Sequence, residues 1–372
     1  MKYEKWVYAK ARIKSIYEIQ QKANPTNDFW HYTSIDRIQN IFKDCIKTDS
    51  KIIDRMELYA SNIRFMNDKS EYEDGKNNYN KFVEELIIND SDYKSTNLNL
   101  MAEDAADAYI VSFCKHCDLL SQWKWYGKNS GISFHFNADI ATYSTFKVYN
   151  GDKEIPLQAE KEQNTKPLLV HYNDKHDYFN QIIDEVLVYS SGENDKRYLD
   201  LLDVLFVPFC KDIGFSEEDE SRLVFFVADK IPCPEPYKAR FNYVYNKTSD
   251  GYVKPALAVS INSSSIPDPF NIAEDYTAKR TSIDKPLVDK MIVGPGANQE
   301  LVFNGLIHIF DADKFRFVPD KEKPEEDDIT LDEYSLPEGS ADYIRCSDNK
   351  CRFAYKCTNG LLIMKSTLPF RG

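Results

Sequence analysis

"AYIVSFC", Ala108 to Cys114, is the stretch on which the fold turns. Its apolar, β-branched and aromatic residues form a short continuous run, which predicts a buried strand rather than a surface one. Ile110, Val111 and Phe113 flank a single hydroxyl, Ser112. A short helix or turn, "DLLSQWKWYG", follows it, and then a second strand, "GISFHFN".

Working outward, residues 3 to 22 read as an amphipathic helix with Trp6, Ala9, Ile13, Ile16 and Ile19 on one side. "DFWHYTSIDRIQNIF", Asp28 to Phe42, reads as a short strand over Phe29 to Tyr32 running into a helix capped by Ser34. "ELYASNIRFMND" is a strand and polar loop, and "EYEDGKNNYNKFVEELIIND" a helix. Downstream, "KPLLVHYND", "ESRLVFFVAD", "GYVKPALAVSI", "DKMIVGP" and "KFRFVPD" read as strands. "YFNQIIDEVLVYS" and "NQELVFNGLIHIF" read as helices, as does "RYLDLLDVLFVPFCK", interrupted near Pro208. The tail "ADYIRCSDNKCRFAYKCTNGLLIMKS" alternates strand-like runs with turn residues. Strands and helices are segregated rather than arranged in regular βαβ units, so the expected class is α+β. The expectation is a mixed, mostly antiparallel sheet core with flanking helices and a small β appendix at the C-terminus. The expected division is a helical extension over 1–28, a main domain over 29–319, an acidic linker over 320–333 and a β-rich tail over 334–372.

The chain has 372 residues and a net charge of −13, which disfavours nucleic acid as an extended partner and leaves a local basic groove open. The opening residues lack a signal-peptide pattern, and no apolar run is long enough to span a membrane. Eight cysteines without a secretory signal suggest reduced thiols and a cytoplasmic setting. Cys114 and Cys117 form C-x-x-C around His116, but Cys346, Cys351 and Cys357 are not spaced as a second such pair. Inert thiols are therefore favoured over a zinc site, and no metal is expected.

Polar and aromatic residues cluster at the ends of the predicted strands. The clusters are His31-Tyr32-Thr33-Ser34, Met66-Asn67-Asp68 with Glu71, Ser112 with Leu120-Ser121-Gln122-Trp123 to Tyr126-Gly127, Glu218-Asp219-Glu220-Ser221-Arg222, and Val293-Gly294-Pro295. This ordered set resembles the bacterial family known as domain of unknown function 2971, over residues 29 to 310. Cys114 and Ser221 depart from its pattern, where a serine and a tryptophan are usual. A strand bearing His followed by Tyr, with a later E-x-E carboxylate, also resembles ADP-ribosyltransferases of the His-Tyr-Glu type. That second resemblance implies an ADP-ribosyltransferase-like core acting on NAD, by ADP-ribosyl transfer or NAD hydrolysis, in a toxin or anti-phage effector. The acceptor would be a protein or a nucleic acid.

The chemistry can be stated from the residues. Cleaving the nicotinamide–ribose bond develops positive charge on the ribose, which a carboxylate stabilises. Glu220 is the first candidate and Glu218 the second, with His31 bonding a ribose hydroxyl and Tyr126 or Trp123 stacking on nicotinamide. Arg222 either grips a pyrophosphate oxygen or neutralises Glu71 or Asp68. Tyr32, Thr33, Asn67, Asp68 and Ser112 complete the expected ligand contacts. Each has a plainer reading beside it. Thr33 and Ser34 suit a helix cap, His31 a satisfied core histidine, Trp123 and Tyr126 core packing, Asp68 with Glu71 a capping box, and Glu218 with Glu220 a solvated face. Two further functions stay open: a non-catalytic module recognising a nucleotide or protein, and a nuclease holding metal on Asp68, Glu71, Glu218 and Glu220.

Overall fold

A computed structural model describes residues 3–23, 28–47, 52–66, 70–89, 107–127, 131–155, 166–190, 201–229, 231, 233, 235–247, 253–263, 286–311, 318–319, 321–325, 336–346 and 348–369. The helices are α1 (Tyr3–Ala23), α2 (Ile38–Ile41), α3 (Lys43–Lys47), α4 (Ser70–Asn89), α5 (Leu120–Gln122), α6 (Lys175–Ser190), α7 (Leu202–Phe206) and α8 (Gln299–Phe310). The strands are β1 (Trp30–Ser34), β2 (Arg55–Asn62), β3 (Ala108–Cys114), β4 (Gly131–Phe136), β5 (Thr142–Ser144), β6 (Phe146–Asn150), β7 (Lys153–Ile155) and β8 (Leu168–Leu169). They continue as β9 (Glu220–Phe226), β10 (Tyr237–Phe241), β11 (Tyr243–Lys247), β12 (Val253–Asn262), β13 (Val288–Val293), β14 (Ala341–Arg345), β15 (Cys351–Lys356) and β16 (Leu362–Lys365).

Among the described residues, thirteen strands join in one mixed sheet whose main path runs β11-β12-β2-β3-β1-β4-β13-β16-β15-β14, while β10, β6 and β7 make a small second sheet. Every named ladder is antiparallel except β13 with β16, so the chain is α+β with a mostly antiparallel sheet. β3 lies at the centre because its side chains are apolar on both faces, and Ser112 is the one position of the strand that is not buried. No helix among the described residues is long and apolar enough to cross a membrane.

Both chain ends are built into this frame. Ala9, Ile13 and Ile16 of α1 are fully buried in the main core, and the Gln20 side chain accepts the Leu169 N–H at 3.0 Å. The N-terminal helix therefore packs as part of the body and does not extend away from it. The C-terminal strands likewise do not form a separate appendix. Lys290 to Val293 pair in parallel with Leu362 to Lys365, and Phe353, Tyr355 and Ile363 enter the main core. β15 is buried on both faces, so it needs cover on each side that an isolated hairpin lacks.

Other expectations shift locally. "KPLLVHYND" supplies only the two-residue β8, and the helix before Pro208, Leu202–Phe206, tightens into a 3₁₀ turn over Val207–Phe209. Ser34 precedes a 3₁₀ turn, Ile35–Arg37, but its hydroxyl bonds the Asp36 carboxylate and caps no backbone N–H. Most of "KFRFVPD" lies outside the described residues. Of the acidic run at 320–333, residues 321–325 are described and largely exposed.

Candidate functional site

β3 presents two edges. β9 pairs along the whole of one, from Ala108–Phe226 to Cys114–Glu220. The other is divided: Tyr109 and Ile110 pair with β2, and Cys114 pairs with Trp30 of β1. Between those two contacts the sheet splits. Ser112 lies in the gap, and its carbonyl takes a hydrogen bond from the His31 imidazole, with Nδ1 at 3.0 Å. A carbonyl only accepts, so Nδ1 carries the proton. Burial lowers the His31 pKa from 6.5, which keeps the ring neutral, and Nε2 is left as an acceptor. The ring sits between Phe113 and Phe134, with centroids 5.7 and 5.3 Å away. Thr33, half-buried, projects from the same face of β1 two residues on.

Tyr32 points the other way, because side chains alternate along a strand. Its phenol donates to the His116 carbonyl at 2.7 Å and accepts the Leu119 N–H at 2.9 Å. Burial raises its pKa. The ring meets Trp123 edge-on at 4.7 Å, and the Trp123 indole donates to Asp118 at 2.7 Å. Trp123 is buried, and a Cβ on Gly294 would come within 2.6 Å of it. The Leu-Ser-Gln-Trp and Gly-Pro segments are thus complementary pieces of one packing contact. Tyr126, three residues beyond, is 36% exposed on the same turn.

The Glu-Asp-Glu-Ser-Arg segment forms a buried ion network. Arg222 is fully buried and donates to Glu220 at 2.8 and 3.1 Å, to the Pro208 carbonyl at 2.7 Å, and to Glu71. Lys211 bridges Glu218 at 2.7 Å and Glu220 at 2.8 Å. Burial draws the Arg222 pKa down to about 9, still charged at neutral pH. Burial, only partly offset by Lys211, raises that of Glu218. The Lys211 ammonium is held charged, because its two carboxylates outweigh the burial that opposes them. Of the two roles considered for Arg222, neutralising Glu71 is the one its geometry serves.

Register decides what these groups can do together. Directly opposed residues of an antiparallel pair share a face. Trp30 opposes Cys114, and Cys114 opposes Glu220, so all three lie on one face of the sheet. His31, next to Trp30, lies on the other. The His31, Ser112 and Glu220–Arg222 segments therefore meet along β3, with Ser112 opposite Arg222 and its carbonyl bonded to His31, but the imidazole and the acid are on opposite sides. Asn67 and Asp68 lie outside the described residues. Among the described residues, no three His, Cys, Asp or Glu side chains are placed to hold a metal ion.

Three groups escaped the sequence reading. Lys211 ends an apolar run and gave no sign of its partners. Arg352, fully buried, binds Asp348 at 2.6 and 2.7 Å and Asp118 at 3.3 Å, and so ties the C-terminal hairpin to the loop after β3. His135 contacts Asp289 at 2.6 Å across β4 and β13. A charged residue inside an apolar run, as in "CRFAY", was the available signal for Arg352.

No family model matches the chain, and no curated protein or solved structure shows significant similarity to it.

Proposed function

We propose that the chain is a recognition module that binds a small polar ligand of the nucleotide class where the sheet splits, without cleaving it. The carrying observation is the His31 imidazole, fixed by the Ser112 carbonyl with a neutral Nε2 as acceptor between two phenylalanine rings. An acceptor nitrogen whose ring is fixed by core packing and by the Ser112 carbonyl suits a ribose hydroxyl or a base amino group. The NAD-cleaving reading and its toxin or anti-phage setting draw on the two resemblances, but the geometry gives them little. Glu220 spends both its oxygens on Lys211 and Arg222, and the sheet separates it from His31. A nuclease built on Glu71, Glu218 and Glu220 meets the same obstacle, since each carboxylate already holds a buried cation.

The test is thermal denaturation of the full chain with NAD, ADP-ribose, ATP and GTP, alongside an assay for nicotinamide release. A ligand that binds the native state raises the midpoint. The expected result is stabilisation by at least one of these nucleotides, lost in His31→Ala, with no nicotinamide released. Turnover of NAD that Glu220→Gln abolishes would overturn the recognition reading in favour of catalysis. Absence of any shift would remove the nucleotide.

A further inference from the structure

The small sheet has one buried and one exposed face. Phe146 and Val148 of β6 are almost fully buried. On the opposite face the register sets Lys238 against Tyr149, Tyr149 against Glu154, and Arg240 against Lys147. Lys238, Arg240, Lys147, Tyr149 and Glu154 therefore share a face. Lys238 and Arg240 are exposed, and Arg240 lies over the Tyr149 ring at 5.6 Å. Among the described residues, only Lys147 of these three cations is answered by an acid, Glu154, at 3.1 Å.

This arrangement runs against the chain's own composition. The protein carries −13 overall, yet here three cations gather around a ring with one carboxylate among them. Arg240 and Lys147 are directly opposed, and like charges in that position destabilise a sheet. A plain solvated face would mix the signs. A face that keeps opposed cations is relieved when a polyanion lies across it. Lys238 and Arg240 are two residues apart on one strand, roughly 6.6 Å, a spacing suited to successive phosphates of an extended strand. The chain then passes through Asn242 into β11, where Tyr243 and Tyr245 are 42% and 69% exposed. Cations beside accessible rings are what single-stranded nucleic acid needs: charge for the backbone and π-faces for the bases.

We propose that the exposed face of β10 and β6 binds single-stranded nucleic acid, with Lys238, Arg240 and Lys147 on phosphates and Tyr149 stacking on a base. The proposal is independent of the nucleotide site at His31. It also predicts a localised contact, because a net charge of −13 disfavours an extended one.

Fluorescence anisotropy of the full chain with a labelled twelve-residue oligothymidylate tests it. Three phosphate contacts give a salt slope of about −2, so affinity should fall roughly 20-fold between about 50 and 200 mM salt. Lys238→Glu with Arg240→Glu should abolish binding while leaving circular dichroism unchanged and the thermal midpoint no lower. Should that pair disturb folding, Lys238→Gln should weaken binding alone. Tyr149→Ala should weaken the oligothymidylate but leave inorganic polyphosphate equally able to compete. Absence of binding, or binding indifferent to the charge reversals, would overturn the proposal. So would oligoglutamate competing as well as polyphosphate, which would indicate an acidic protein partner. Duplex DNA binding as tightly as the single strand, or no loss in Tyr149→Ala, would overturn the stacking on which the choice of a single strand rests.

Discussion

Replacing Arg222 with methionine fills most of the same volume but removes a charge that two carboxylates depend on. The side chain is fully buried, holds Glu220 and Glu71, and donates to the Pro208 carbonyl at 2.7 Å. Lys211 would still reach one Glu220 oxygen at 2.8 Å, so the stranded groups are Glu71, the second Glu220 oxygen and the carbonyl. Breaking a buried pair by removing one partner costs about 3–5 kcal/mol, because the surviving charge stays desolvated. That is a large share of the roughly 5–15 kcal/mol that stabilises a typical domain. Urea unfolding followed by tryptophan fluorescence should show the loss as a lower midpoint with the slope little changed. Glu71→Met in the Arg222→Met background should recover part of it, with a coupling of about 2 kcal/mol between the two sites. A loss below about 1 kcal/mol for Arg222→Met, or no coupling to Glu71, would refute the claim that this network is buried and mutually dependent.

Other contacts carry equally specific expectations. Tyr32→Phe strands the Leu119 N–H and the His116 carbonyl, and should cost about 1–3 kcal/mol in chemical denaturation without altering ligand binding at His31. Gly294→Ala drives a Cβ to 2.6 Å from Trp123 and should destabilise by about 1–3 kcal/mol, with a changed tryptophan emission as its mark. The His31 pKa is lowered from 6.5, so between those two values the unfolded chain binds more protons than the folded one. Its contribution is therefore complete above pH 6.5 and lost as the pH falls toward the folded value, and His31→Gln should flatten that part of the stability–pH curve.

What could be read in advance depended on how local the signal was. The apolar runs of β3 and β9 and the periodicity of α4, α6 and α8 announced themselves, because each element is decided by its own residues. β6 and β10 did not, since "FKVYN" and "YKARF" alternate charges with apolar residues over only five positions. The anchoring of both chain ends was invisible for a different reason. It rests on pairings such as Lys290 with Leu362 and Gln20 with Leu169, far apart in sequence. The site shows the same division. The order of the polar segments was legible, and those at His31, Ser112 and Glu220–Arg222 meet along β3. Which face each side chain occupies depends on register, and a shift of one residue would exchange His31 for Tyr32. The Trp30–Cys114–Glu220 alignment that separates imidazole from acid is a long-range fact that no single segment carries.

The central claim is that His31 is a neutral acceptor held at the split in the sheet. Nitrogen-15 NMR of the histidine rings, titrated with pH and then with NAD, tests it directly. The claim predicts a His31 ring protonated at Nδ1 and bare at Nε2, neutral to below pH 6.5, with the Nε2 resonance moving as nucleotide is added. A ring protonated at Nε2, a ring charged at neutral pH, or resonances unmoved by any nucleotide that stabilises the protein would contradict it.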